Sequence, residues 1–230
     1  VDRFLVRVWL PDRPGALGAV ASRIGAVRGD VVGIEILERG AGRAIDELVV
    51  ELPDATLLGL LVNEVAEVDG VDVEDVRAAP DRVDGRVDAV DRAAVLVAAP
   101  TFRAVLDQLA TGAQRGFEAE WAAVVDVDDR RLLAAEGSPP PPAWLAAFVA
   151  GSRSSAALGA GDGGPDDTAW SSLDGTPLAI VLGRRGRPFR ARERRELAAL
   201  TRIAGLRAGQ IGAGAPPAVS AVAADGAGAG

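Results

Sequence analysis

The feature that most narrows the possible folds is the switching of apolar periodicity between two and about 3.6 residues along the first part of the chain. Phe4 to Leu10 alternates, with Phe4, Val6, Val8 and Leu10 on one face and Leu5, Arg7 and Trp9 on the other, which predicts a half-buried strand. It ends at Pro11-Asp12-Arg13-Pro14-Gly15, after which Leu17, Val20, Ala21, Ile24 and Val27 recur at helical spacing and predict a helix stopping near Gly29. Val31 to Leu37 reads as a second strand, Gly40 to Arg43 as a turn, and Ile45 to Leu52 as a third strand, with Leu48, Val50 and Leu52 opposed to Glu47, Val49 and Glu51. Pro53-Asp54 opens a second helix striped by Leu58, Leu61, Val62 and Val65, and Asp69-Gly70 turns into a last strand, Val71 to Arg77. This βαββαβ order predicts an α+β, ferredoxin-like unit in which two helices cover one face of a four-stranded antiparallel sheet.

The side-chain palette limits the chemistry. All 25 basic residues of the 230 are Arg, and the chain has no His, Cys, Lys, Met or Tyr. Without His, Cys or Lys there is no imidazole base, thiolate nucleophile, Schiff base or P-loop cation, and only carboxylates, hydroxyls and Arg remain for catalysis; a protein with no catalytic residue, metal or cofactor is expected, with a carboxylate-driven hydrolase as the enzymatic alternative. The net charge of −8 disfavours nucleic acid as a partner, since phosphate neutralisation supplies most non-specific affinity. No apolar run approaches the roughly 20 residues of a membrane span, and the N-terminus lacks a signal-peptide pattern, so a soluble cytoplasmic protein is expected.

Charge also divides the chain. Residues 1–92 hold 19 acidic and 11 basic side chains, the whole of the negative excess. The predicted organisation is a first unit over 1–79, a polar linker over 80–91, a second unit over 92–209 and a disordered Ala/Gly/Pro tail over 210–230, with the two units folding independently. In the second unit, Arg92 to Ala99 and a segment carrying Phe102, Val105, Leu106 and Leu109 read as helices separated by Pro100-Thr101. Trp121 to Val127 and Arg131 to Ala135 read as a hairpin, followed by a short helix carrying Trp144, Leu145 and Phe148 and a loop over 151–167. A second hairpin, Ala169 to Leu173 and Pro177 to Leu182, turns at Asp174-Gly175, and Phe189 to Gly209 reads as a long helix.

With Asp12-Arg13-Pro14-Gly15-Ala16-Leu17 lying between the first strand and the first helix of a βαββαβ unit, residues 3–79 resemble an ACT domain. The resemblance implies a regulatory, non-enzymatic module and a homodimer binding a small molecule, usually an amino acid, where that loop of one copy meets the second strand of another. Carried onto this chain, the site comprises Asp12, Gly15, Ala16 and Leu17 facing Asp30, Val31 and Val32. The residue types suit the task. Asp12 is either a helix cap or a carboxylate for a ligand ammonium, Pro14 has the φ of an early helical position, and Gly15 lets a ligand carboxylate approach the positive end of the helix. That end contributes roughly 0.3–1 kcal/mol, whereas micromolar binding needs about 8 kcal/mol, so a second wall is required. The alternative is a turn that only helps the domain to oligomerise.

Residues 87–208 are similar to GAF domains through Glu120 to Asp126, Arg131 to Ala135, Leu178 to Leu182 and the ending Pro188-Phe189-Arg190 into Glu196-Leu197. The resemblance implies a small-molecule pocket near 138–168 or a ligand-free spacer. Arg184, Arg185, Arg187, Arg190, Arg192, Arg194 and Arg195, interleaved with Glu193 and Glu196, are expected to be a solvated turn and helix start. Asp126, Asp128 and Asp129 read as a polar hairpin tip, and Trp9 with Leu5 as a docking patch or an ordinary exposed pair.

Overall fold

The computed structural model of the chain describes residues 1–79, 85–157 and 167–214, with side chains left undescribed at 85–88, 156–157 and 213–214. The first unit runs β1 (Asp2–Pro11), α1 (Ala16–Ala26), β2 (Asp30–Gly40), β3 (Arg43–Leu52), α2 (Leu58–Ala66) and β4 (Asp72–Ala78). Its sheet has the order β2-β3-β1-β4, with every neighbouring pair antiparallel. The rows Phe4, Val6, Val8, Leu10 and Leu48, Val50, Leu52 are buried against Val20 and Ile24 of α1 and Leu61 and Val65 of α2. Each such side chain stabilises the fold by roughly 1.5–3 kcal/mol when fully buried. Asp54 accepts a hydrogen bond from the Thr56 N–H at 2.7 Å and starts the helical turn that leads into α2.

The second unit runs α3 (Gly85–Ala98), α4 (Phe102–Gly116), β5 (Trp121–Asp126), β6 (Arg131–Glu136), α5 (Pro142–Ala157), β7 (Thr168–Ser172), β8 (Leu178–Gly183) and α6 (Ala191–Gly214). Its antiparallel sheet has the order β6-β5-β8-β7. Alternation along the two central strands supplies both faces. Ala122, Val124, Ile180 and Leu182 meet α3, α4 and α6, while Ala123, Val125, Ala179 and Val181 meet Leu145, Ala146 and Val149 of α5. Thr101 caps α4 by accepting from the Ala104 N–H at 3.1 Å, which is how Pro100-Thr101 separates two helices.

Some boundaries move. Helix α3 already starts at Gly85, inside the stretch expected to be a linker, and α5 continues to Ala157, through half of the expected loop. The long last helix extends to Gly214, so the segment expected to be a disordered tail from 210 begins as helix; its remainder, with residues 80–84 and 158–166, lies outside the described residues. Propensity misreads these places because Ala, Arg and Ser tolerate a helix well once packing supports it.

The larger correction concerns the arginines. The face of the first sheet opposite its helices rests on the second unit through charged side chains. Arg7 is 1% exposed; its Nε and Nη2 donate to Glu47 at 3.0 and 2.9 Å, and its Nη1 to the Pro188 carbonyl at 3.2 Å. Arg184, also buried, donates to the Phe117, Arg187 and Pro188 carbonyls and forks onto Glu193 at 2.7 and 2.9 Å, with Phe189 stacked 3.9 Å beneath it. Burial lowers the Arg184 pKa to about 10, against the opposing pull of Glu193. Arg190 pairs with Glu74, Arg192 with Glu35, and Arg77 bridges Glu47 and Glu118, which also receives Arg187. Of the cluster, Arg190 and Arg192 therefore tie the second unit to the first, while Arg184, Arg185 and Arg187 pair with Glu193, Glu120 and Glu118 of the second unit itself. Glu residues interleaved among arginines look alike in sequence whether water or a second sheet surrounds them. Trp9 is held between the Arg43 and Arg190 guanidiniums, 5.2 and 5.0 Å from the ring centre, and Leu5 is buried, so this pair forms no free docking patch.

Candidate functional site

The loop from Pro11 to Gly15 is built by local hydrogen bonds. Asp12 N–H donates to the Gly42 carbonyl at 2.9 Å, which ties the loop to the β2–β3 turn, and Arg13 N–H donates to Pro11 O at 2.8 Å. Gly15 then takes φ +88°, a left-handed conformation that a side chain resists, and α1 starts at Ala16. No side chain caps this helix, and Asp12 is exposed, so the capping alternative for Asp12 does not hold. Pro14 stands in the turn, two residues ahead of the helix. The result is an open, positive helix end beside an exposed carboxylate.

The expected site residues divide into two groups. Asp12, Gly15, Ala16 and Leu17 lie at the Gly40 end of β2. Ala16 is buried in the core and Leu17 half-buried against it, and Ala16 N–H donates to the Arg13 carbonyl at 3.3 Å, so of this pair it is Leu17 whose backbone N–H faces outward from the helix start. Asp30, Val31 and Val32 lie at the other end of the strand, with Asp30 exposed, Val31 packed on the core and Val32 48% exposed. Ten residues of strand, roughly 30 Å, separate the groups within one chain. One copy therefore does not assemble them.

A residue that the sequence reading did not single out sits with the first group. Asp46 is 3% exposed, and its Oδ1 has no hydrogen-bond partner. It stands opposite Val8 of β1 and Ile36 of β2, in the row of Ala44 and Leu48 that packs beneath the helices. Burial raises its pKa, Arg39 opposes the rise, and the neighbouring Asp12 carboxylate adds to it. A buried carboxylate oxygen without a donor is costly, which makes this position stand out in the row. The signal was legible: alternation through Ala44, Leu48, Val50 and Leu52 requires an apolar side chain at 46, and the chain places a carboxylate there.

Elsewhere, the Asp126 Oδ1 accepts from the N–H groups of Asp128 and Asp129 at 3.1 and 3.0 Å, so this acidic trio forms a polar hairpin tip. Among the described residues no group of three acidic side chains is placed to hold a metal ion, and no helix is long and apolar enough to cross a membrane.

No protein-family model and no curated protein matches the chain. Among solved structures, it is similar to the ACT domain from GTP pyrophosphokinase of Chlorobium tepidum at 18% identity, over 34% of this chain and 100% of that one, with a TM-score of 0.28. It is also similar to a formyltetrahydrofolate deformylase from Pseudomonas putida at 16% identity, over 39% of this chain and 36% of that one, with a TM-score of 0.27. An unknown protein from Galdieria sulphuraria is similar at 17% identity, over 43% of this chain and 64% of that one, with a TM-score of 0.29.

Proposed function

We propose that the chain is a non-catalytic, ACT-like regulatory protein that binds a free amino acid between two copies of its first unit, with a GAF-like second unit joined to it. The observation that carries this reading is the buried carboxylate of Asp46, whose Oδ1 has no hydrogen-bond partner, near Asp12 and the start of α1, which no side chain caps. Two carboxylates suit a ligand ammonium, and the first-turn N–H groups that follow Ala16 suit its carboxylate. A single small zwitterion meets both, and gives the Asp46 Oδ1 a donor that the fold does not supply.

The second wall follows from the edge strand. β2 ends the sheet, and Val32, Ile34 and Ile36 are exposed along it. Antiparallel pairing of two β2 strands about Glu35 sets Asp30 of one copy against Gly40 of the other. Since Asp12 N–H is bonded to Gly42 O, the loop of one copy then faces the Asp30 to Val32 segment of its partner. The same exposed row favours a second reading, an oligomerisation module without a ligand.

Thermal denaturation of the full chain against the standard amino acids separates the two. A ligand at about 100 times its dissociation constant stabilises the native state by roughly 2.7 kcal/mol. Asp46→Asn and Asp12→Ala should each abolish that shift. If no amino acid moves the melting point at millimolar concentration, the sensor is refuted and the oligomerisation module stands.

A further inference from the structure

A groove of about 850 Å³ runs between the Gly40 end of β2 and the start of α6. Its floor and walls are Leu37 and Phe189, both buried, with Ile36, Ala191 and Ala198. Around them stand Arg39, Arg190, Arg194 and Arg195, against Glu38 as the sole acidic lining residue. This is a concentrated positive site in a chain whose net charge is −8.

Helical spacing explains how the cluster arises. Ala191, Arg194, Arg195 and Ala198 share one face of α6, while Leu197, Leu200, Ala204 and Ala208 share the face buried in the second core. Two of these arginines, Arg195 and Arg190, keep donor capacity. Arg195 is exposed and makes one hydrogen bond, from Nε to the Ala191 carbonyl of its own helix at 3.3 Å. Arg190, although paired with Glu74, keeps a buried Nε without an acceptor and stands 4.0 Å from Glu38. Burial lowers its pKa, with Glu38 opposing the change and Arg7 adding to it.

We infer that this groove binds a small organic dianion, a phosphate monoester or a dicarboxylate, whose charged head meets Arg195 and Arg190 and whose apolar body lies on Phe189 and Leu37. The guanidinium fork suits either head group, and the volume falls in the range of small-molecule sites. The walls come from both units, so an occupant holds them together. The inference goes beyond the amino-acid reading and does not depend on it.

The test uses the full chain with phenyl phosphate, succinate and inorganic phosphate as probes, at fixed ionic strength set with sodium chloride, read by calorimetry and by melting temperature. Phenyl phosphate or succinate should bind, and whichever binds more tightly identifies the head group. Arg195→Glu and, separately, Ala198→Asp should weaken that binding at least tenfold. Neither should alter the circular dichroism of the free protein or its response to amino acids. Binding of neither organic probe at millimolar concentration, equal binding of inorganic phosphate alone, or unchanged affinity in both variants would overturn the inference.

Discussion

Replacing Arg7 by Met is expected to lower the urea midpoint of the whole chain by about 1.5 M, given an m-value of about 2 kcal/mol/M for a chain of this size. Arg7 is 1% exposed and fixes the joint from the first sheet, with two bonds to Glu47 and one to Pro188 O. Removing one partner of a buried ion pair costs about 3–5 kcal/mol, because the other charge stays out of water. The lower end, about 3 kcal/mol, applies here. Each carboxylate near Arg7 retains another guanidinium: Glu47 keeps Arg77 at 3.2 Å, Glu193 keeps Arg184 at 2.7 Å, and Glu74 keeps Arg190. The control is Arg3→Met. Arg3 pairs with Glu51 on the same strand pair, but its side chain is 47% exposed, and such a pair contributes at most about 1 kcal/mol, or about 0.5 M of urea. Far-ultraviolet circular dichroism and tryptophan fluorescence should be followed together, Trp9 reporting the joint and the other tryptophans the second unit. A shift for Arg7→Met no larger than that for Arg3→Met would refute the assignment of the arginines to an ionic joint.

Asp46→Asn should raise the melting temperature near neutral pH while abolishing the amino-acid response. The sign follows from burial: the folded pKa lies above the unfolded one, so the native state takes up the proton first and this group's penalty fades as pH falls through its folded pKa. The gap between variant and wild type should therefore close on acidification, and a gap that widens refutes the argument. Gly137→Ala should cost more than about 2 kcal/mol in urea titration, because a Cβ there lies 2.2 Å from the Glu120 carbonyl oxygen at φ +69°. Gly15→Ala, at φ +88° but in open space, should cost only about 1 kcal/mol. Ile34→Lys, on the exposed row of β2, should convert a dimer into a monomer by light scattering without changing the monomer's helix content; a wild type already monomeric at tens of micromolar removes the two-copy site.

The first unit was legible because its periodicities agree at every level. Phe4 to Leu10 and Leu48 to Leu52 alternate, α1 and α2 carry one stripe each, and Asp54 and Asp69-Gly70 mark the ends. What the residues did not disclose was the environment of the polar face. Arg7 alternates outward from the core as an exposed residue would, and only the arrival of Pro188 and Glu193 from far along the chain makes it buried. The candidate site was half legible. Its loop is a local motif, but the surroundings of Asp46 come from strands β1 and β2 and from the charge of Asp12, all distant in sequence. Its clue was a single carboxylate in an apolar row, which means little until its isolation from water and partners is seen.

The opposite faces of the first sheet differ in how firmly they hold their neighbours. Hydrocarbon contacts between the strands and α1 and α2 are non-directional, whereas charge-assisted guanidinium–carboxylate hydrogen bonds are directional. α6 is gripped near its beginning by Arg190 on Glu74 and Arg192 on Glu35, the latter on the edge strand β2. Its 24 residues extend about 36 Å from that grip. Beyond that grip Leu197, Leu200 and Ala204 bury the helix in the second core, so α6 joins the edge strand of the first sheet to the interior of the second unit as one stiff element.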